Sequence, residues 1–489
     1  MNTLTNIASS PVMLIISAIY LVTMIFTCLI IIFENRPPVK TLSWVLVILL
    51  IPLFGIVLYI LFGQSFRKTK IFSRKAVVDS EYLFAIASEQ KETLKAKLRN
   101  KSANIKEKSH LMTLMLNNEK AMLTENNEVK ILINGSETFP AMLRAIRSAR
   151  KFIHLEFFRF DIDEIGNEFR TILMEKAGEG VEVRIIIDDV GSWSFKSKYI
   201  QEMRARGVNI YSFMPVKFPH FTSKINYRNH RKILIVDGEK GYVGGLNIAE
   251  KYLKGADGIG PWRDTHLEIM GDAVASMNMV FLVDWYFVSR EVLTRDNKYF
   301  CVPKVENRCL MQLATSGPDS DWANIMQVYF SAISTAKKSI YLCTPYFSPN
   351  ESILTAIKTA ALSGLDVRLI IPGKSDSVIA NWNSRSYIGE LLDAGVRVYL
   401  YNNGFNHSKF LVIDLVFSSV GSPNLDMRSF DLDFEITALI YDEKFARDLT
   451  KVYFDDLAES VEVLPELWKG RKRSERYKES LSRTLGPLY

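Results

Sequence analysis

Residues 230–237 and 407–414 share one pattern, His-x-Lys-x4-Asp: His230, Lys232 and Asp237 in the first copy, His407, Lys409 and Asp414 in the second. Each copy continues with a matching tail, Gly244, Gly245 and Asn247 after the first, Gly421, Ser422 and Asn424 after the second. The chain has six histidines, and one chance occurrence of the short pattern is expected on the order of 0.02 times. Two copies are therefore signal. Residues 232–236 and 409–413 are short apolar runs of strand type, and on a strand residues i and i+2 share a face. Each His thus lies beside its Lys. An imidazole so placed can attack an electrophile or carry a proton, and the ammonium beside it can hold an anion. One copy could be the polar end of a buried strand. Two copies imply a two-fold site in which paired His and paired Lys converge on a phosphate.

Lys232, Lys409, Asn247 and Asn424 are expected to hold phosphoryl oxygens, a cradle of cations and amides in place of a divalent metal. Asp237 and Asp414 sit an odd number of residues from their His, so on a regular strand they face away from the phosphate. They read as supports, paired with backbone or with a cation. Aligning the halves further downstream matches Asp264 with Glu435, carboxylates that could orient the imidazoles through their second ring nitrogens. His110, His154, His220 and His266 lack the motif context and read as ordinary polar residues. Cys28, Cys301, Cys309 and Cys343 show no ligand spacing, so neither a metal, a cofactor nor a disulfide framework is expected.

The motifs end two longer matching halves. Residues 149–155 parallel 336–342, residues 180–187 parallel 364–371, and residues 206–211 parallel 394–399. Each half reads helix, strand, helix, strand, helix, strand, then the motif strand. That alternation predicts an α/β fold with largely parallel, buried strands, duplicated into two facing lobes with one shared site. The expected organisation is a hairpin over 1–68, a charged helical connector over 69–127, a first lobe over 128–297 and a second lobe with a basic tail over 298–489. Loop aromatics near the motifs, namely Trp193, Phe195, residues 213–221 and residues 345–349, are candidates for lipid contact or for packing onto the core.

Residues 12–33 and 41–62 are each 22 residues without a charge, long enough as helices for about 33 Å of bilayer. Pro37 and Pro38 between them predict a turn, and the pair a transmembrane hairpin. Arg67, Lys68, Lys70, Arg74 and Lys75 follow the second run, which places that side, both termini and the enzyme domain in the cytoplasm. The net charge of +7 suits an anionic lipid surface. The seven basic residues of 91–108 and the basic tail from Trp468 to Lys478 would be lipid-facing or plainly solvated.

The duplicated motif with its Gly-[Gly/Ser]-x-Asn tail resembles the phospholipase D superfamily. Asn35 to Val45 and Gly63 to Lys68 resemble the bacterial cardiolipin synthases within it. The resemblance implies two pseudo-symmetric phospholipase D-like lobes and counts Asp237 and Asp414 among the active-site residues. It also implies His230 as nucleophile and His407 as acid/base. The implied reaction moves the phosphatidyl group of one phosphatidylglycerol onto another, giving cardiolipin and glycerol through a phosphohistidine. The partners would be membrane phospholipids rather than nucleic acid. Rival readings are a membrane phospholipase D, a transferase using another alcohol, and a non-catalytic lipid-binding scaffold.

Overall fold

The structure, a computed structural model, describes residues 11–34, 38–51, 54–59, 80–216, 226–300, 303, 305–320, 322–484 and 486. It divides into two compact units, residues 1–74 with 216–226, and residues 75–215 with 227–489.

In the first unit, a helix over Pro11–Phe33 is followed by helices over Pro38–Leu50 and Phe54–Leu58. Pro38 opens the second helix, where its missing N–H costs nothing. The single helix expected over 41–62 is divided. Ile51 leaves the helix because the residue before a proline, here Pro52, is driven from the α region. Ile31, Ile48 and Tyr59 pack together, and the Tyr59 hydroxyl donates to Glu34 at 3.0 Å. Among the described residues no helix is long and apolar enough to cross a membrane.

The second unit carries the motifs. Its first sheet contains β1 (Asn127–Ile133), β2 (Phe152–Phe157), β3 (Glu182–Asp188), β4 (Asn209–Phe213), β5 (Lys232–Val236) and β6 (Lys240–Gly244). After the short β7 (Trp262–Arg263), β8 (Thr265–Gly271) completes it in the order β4-β3-β2-β5-β6-β8-β1. The second half supplies β9 (Leu310–Ser316), β10 (Ser339–Cys343), β11 (Phe347–Ser348), β12 (Asp366–Pro372), β13 (Arg397–Tyr401), β14 (Phe405–Asn406) and β15 (Phe410–Ile413). It ends with β16 (Phe417–Gly421), β17 (Leu425–Asp426), β18 (Glu435–Tyr441) and β19 (Ser460–Glu462). Its sheet runs β13-β12-β10-β15-β16-β18-β9, the same order, with β19 added at the outer edge. The duplication expected from the sequence is thus a repeat of topology, and the α/β class holds.

The largely parallel character does not. Within each of these two sheets only β2-β3-β4 and β10-β12-β13 run parallel; the motif strands and those beyond them pair antiparallel. The cause is connection length. Helical crossovers permit parallel pairing, whereas Asp237–Glu239 between β5 and β6 is a tight link that returns the chain antiparallel. The motif strands are buried along their whole length. Leu94, Leu98, Ile105, Leu111, Met112 and Met115 of the connector join the core of the second lobe.

Asp237 and Asp414 close the motif strands at φ 56° and 57°, a left-handed turn that aspartate tolerates better than most residues. Asp237 accepts the backbone N–H groups of Arg150, Lys151 and Phe152 at 2.7–2.9 Å. Asp414 accepts those of Lys337, Lys338 and Ser339, and pairs with Lys108 at 2.7 Å. Lys108 is therefore not part of a solvated or lipid-facing surface; its side chain is 5% exposed. Burial would raise the Asp414 carboxyl, but Lys108 and the backbone donors outweigh it and hold it below the ordinary aspartate range. Removing one partner of a buried pair strands the other, at a cost of about 3 kcal/mol or more. Lys108→Met should accordingly lower the midpoint of thermal unfolding by several degrees in detergent-solubilised protein. An unchanged midpoint would mean that the three amides alone suffice for Asp414.

Candidate active site

The approach to each motif strand is fixed by an asparagine. Asn229 Oδ1 accepts the N–H of Arg231, and Asn406 Oδ1 that of Ser408, each at 3.0 Å. Their amides reach in turn to Glu156 at 2.5 Å and Asp456 at 3.3 Å. The backbone of each His then pairs with the opposite half. His230 donates its N–H to Phe434 O at 2.9 Å, and His407 donates to Arg263 O at 2.7 Å. The residues that follow those carbonyls are Glu435 and Asp264.

That pairing crosses the carboxylates between halves. His407 Nδ1 lies 2.7 Å from Asp264 Oδ2, and His230 Nδ1 lies 3.3 Å from Glu435 Oε1 and 3.5 Å from Asp433 Oδ2. His407 Nδ1 is hydrogen-bonded and His230 Nδ1 turned toward its two carboxylates, which leaves Nε2 of each ring for chemistry. The motif tail serves the same carboxylates. A Cβ on Gly245 would lie 2.1 Å from Asp264 Oδ1, so only glycine lets that carboxylate in. In the second half Ser422 instead donates its hydroxyl to Glu435 at 2.5 Å.

Lys232 and Lys409 bend back to the carbonyls of their own histidines, at 2.5 Å and 2.6 Å. Burial depresses both ammonium groups, Lys409 to about 7 with help from Lys232 and against the pull of Asp264. Burial likewise holds the imidazoles neutral, His230 at about 3 and His407 well below its ordinary value. Lys409 acts on His230, and both Lys232 and His230 act on His407, so the four side chains share one electrostatic site. Burial raises Asp264 to about 7 and Asp433 to about 6. Two neutral imidazoles beside two buried lysines with lowered pKa values suit an anionic electrophile, whose charge would favour the ammonium forms.

Asn247 faces inward but is engaged, accepting from Arg159 N–H at 3.1 Å and donating to the Tyr252 hydroxyl at 2.7 Å. Asn424 Oδ1 is buried with no hydrogen-bond partner among the described residues. Asp237 and Asp414 lie at the far ends of the motif strands, bound to backbone as described above. Of the loop aromatics, Trp193 is 72% exposed, whereas Phe195, Phe213 and Phe347 are buried in the core; residues 217–221 lie outside the described residues. His154 and His266 are fully buried on strands beside the first motif, where His154 pairs with Ile235 and His266 with Gly244, and His110 is exposed. His220 and Cys301 are outside the described residues, while Cys28, Cys309 and Cys343 are free thiols. His230, Asp433 and Glu435 are close enough to hold a cation, an arrangement equally explained by an oriented imidazole.

Sequence reasoning missed Asp433, Arg263, Arg231 and Trp262. Asp433 was within reach of it, because it sits two residues before Glu435 and so shares its face. Arg231 pairs with Asp284 and donates to Glu435 O at 3.2 Å. Arg263 pairs with Asp456 at 2.6 Å and donates to Asp264 O. Both guanidinium groups thus brace the strand that carries a His-orienting carboxylate.

A family model described as "Cardiolipin synthase, PLD-like domain" matches residues 142–260 and 329–457, one segment per lobe and each containing a motif. The chain belongs to this family. A second model, "Phospholipase D-nuclease N-terminal", matches residues 19–64. A cardiolipin synthase of Alkalihalophilus pseudofirmus is 42% identical over 97% of this chain and 93% of its own. A protein of Bacillus anthracis named cardiolipin synthase 2 is 42% identical over 93% of this chain and 88% of its own. Among solved structures, phosphatidylserine synthase of Haemophilus influenzae superimposes with a TM-score of 0.60 at 15% identity, over 79% of this chain and 98% of that one. At that identity the likeness is one of fold.

The unequal surroundings of the two histidines of this family member have a measurable consequence. His407 depends on one carboxylate, Asp264, while His230 has Glu435 and Asp433 within reach. Asp264→Asn should reduce kcat by about 100-fold or more, in the upper range for a lost imidazole partner. Glu435→Gln should cost less, because Asp433 remains. Equal losses in the two variants would show that the second carboxylate does not substitute for the first.

Proposed function

We propose that this protein is a cardiolipin synthase, a phosphatidyltransferase that joins two phosphatidylglycerol molecules. The observation that supports this most directly is the pair of imidazoles around two buried lysines, His407 hydrogen-bonded at Nδ1 to Asp264 and His230 with Nδ1 3.3 Å from Glu435, each carboxylate from the opposite lobe. His230 Nε2 attacks phosphorus, and the bond from phosphorus to the glycerol oxygen breaks. His407, carrying a proton on Nε2 once the anionic phosphodiester is bound, gives that proton to the oxygen and becomes neutral, and free glycerol leaves behind a phosphatidyl-His230. The terminal hydroxyl of a second phosphatidylglycerol then loses its proton to His407 and attacks phosphorus. The P–N bond breaks, returning neutral His230 and releasing cardiolipin. Lys232, Lys409, Asn247 and Asn424 hold the phosphoryl oxygens as charge builds on them. Asp264 and Glu435 steady the imidazolium formed at each stage. Asp237 and Asp414 fix the strand ends that carry the motifs.

The N-terminal helices serve as a membrane hairpin in this proposal. Pro11–Phe33 is 23 residues, a helix of about 34 Å. Ile19, Val22, Phe26, Phe33, Leu42 and Leu50 are more than half exposed, an apolar surface that suits lipid better than water. The basic residues that follow, Arg67 to Lys75, support a cytoplasmic side for the catalytic lobes in this reading.

Hydrolysis is the rival that shares every step up to the covalent intermediate. Purified protein in vesicles of phosphatidylglycerol alone should release cardiolipin and glycerol in equal amounts, without nucleotide or divalent cation. Phosphatidic acid as the main product would favour a phospholipase D, and a need for a cytidine-activated lipid would exclude this chemistry.

A further inference from the structure

Transfer to a second lipid, rather than to water, requires the acceptor to be held as firmly as the donor. The acceptor here is an anion, because its own phosphodiester lies one glycerol away from the attacking hydroxyl. A second cationic position is therefore needed beside the imidazole that deprotonates that hydroxyl.

The repeat shows where such a position arises. Counting forward from the motif asparagines Asn247 and Asn424, Lys251 falls opposite Arg428. Counting back from the orienting carboxylates Asp264 and Glu435, Trp262 falls opposite Asp433. In the second half the cation meets the acid: Arg428 Nε donates to Asp433 Oδ2 at 3.0 Å. In the first half the acid has become an indole. Lys251 Nζ lies 4.3 Å from the Trp262 ring centre and 5.3 Å from that of Tyr252. Among the described residues it makes no ion pair or hydrogen bond. The two nearby acids are occupied, Asp161 by Arg159 at 2.6 Å and Asp376 by the Tyr346 hydroxyl at 2.5 Å.

Cation–π contact attracts the half-buried Lys251 ammonium without neutralising it, while burial and Arg159 lower its pKa and Asp376 and Asp161 act against them. The same Trp262 ring that carries Lys251 lies 5.4 Å from the ring of His407, and Tyr252 lies 5.9 Å from it. Tyr252 is itself fixed by Asn247. Lys251 thus stands on the His407 side of the site, separate from Lys232 and Lys409.

We propose that Lys251 is the subsite for the phosphodiester of the acceptor lipid, and that it directs the phosphatidyl group onto phosphatidylglycerol in preference to water or small alcohols. The proposal rests on the function set out above and names the residue that selects its second substrate. Arg428 cannot play this part for His230, because Asp433 already binds it.

The test compares two acceptors for one covalent intermediate. Full-length protein in mixed micelles of detergent and phosphatidylglycerol, with ethanol added, forms cardiolipin and phosphatidylethanol side by side. Lys251→Gln should lower the ratio of cardiolipin to phosphatidylethanol by about 10- to 100-fold, the worth of one charge-assisted contact. Lys251→Arg, which keeps the charge, should hold the ratio within a few-fold of the original. An unchanged ratio in Lys251→Gln would overturn the assignment. So would an equal fall in both products, which would mark Lys251 as structural or as a contact of the donor. Wild-type protein that makes phosphatidylethanol but no cardiolipin would overturn the proposed function, and the subsite with it.

Discussion

The 2.7 Å contact between His407 Nδ1 and Asp264 Oδ2 joins the two lobes at the atoms that matter. Asp264 belongs to the first half and His407 to the second, and the reciprocal contact runs from His230 to Glu435. Neither lobe therefore holds a complete half-site. The backbone pairing of His230 with Phe434 and of His407 with Arg263 makes the exchange rigid, because each carboxylate is the next residue after the accepting carbonyl. Arg231 and Arg263 add buried ion pairs that brace the same strands. An unpaired charge in this interior would cost several kcal/mol, so partial separation of the lobes is disfavoured by the same paired groups.

Symmetry of fold coexists with asymmetry of charge. The two sheets share one strand order, yet the imidazole at position 230 sees two carboxylates and the one at 407 sees one carboxylate and a cage of rings. The exchange of Asp433 for Trp262 gives His230 a second carboxylate and His407 a ring, and it leaves Lys251 without the acid that Arg428 meets. In the proposed function, displacement at phosphorus with a covalent intermediate gives the two imidazoles different tasks. A duplicated scaffold can meet that requirement by changing a few side chains around a conserved strand order.

Much of this was legible in the amino-acid order. The motif residues, their tails and the matched blocks implied two lobes and one site because strand alternation and repeat spacing are local properties. Asp264 and Glu435 emerged from aligning the halves, but not the crossing between them, which depends on how two sheets dock. The antiparallel course after β4 was hidden because a buried strand reads alike in either direction. Lys108 looked like one member of a solvated basic run, since nothing local marks a lysine that will meet an aspartate some 300 residues away in the chain. The division of the second N-terminal helix was signalled by Pro52 and outweighed by the continuous hydrophobicity around it.

The central claim is that one imidazole forms the covalent bond and the other moves the proton. Both can be separated with a radiolabelled phosphatidyl substrate whose leaving group is activated and needs no proton. His407→Ala should then trap an acid-labile phosphatidyl adduct while turnover with phosphatidylglycerol is lost, since acid–base help is worth about 100- to 10,000-fold. His230→Ala should trap none. The reverse pattern would exchange the two roles. No adduct in either variant, with normal turnover in one of them, would contradict the two-histidine mechanism.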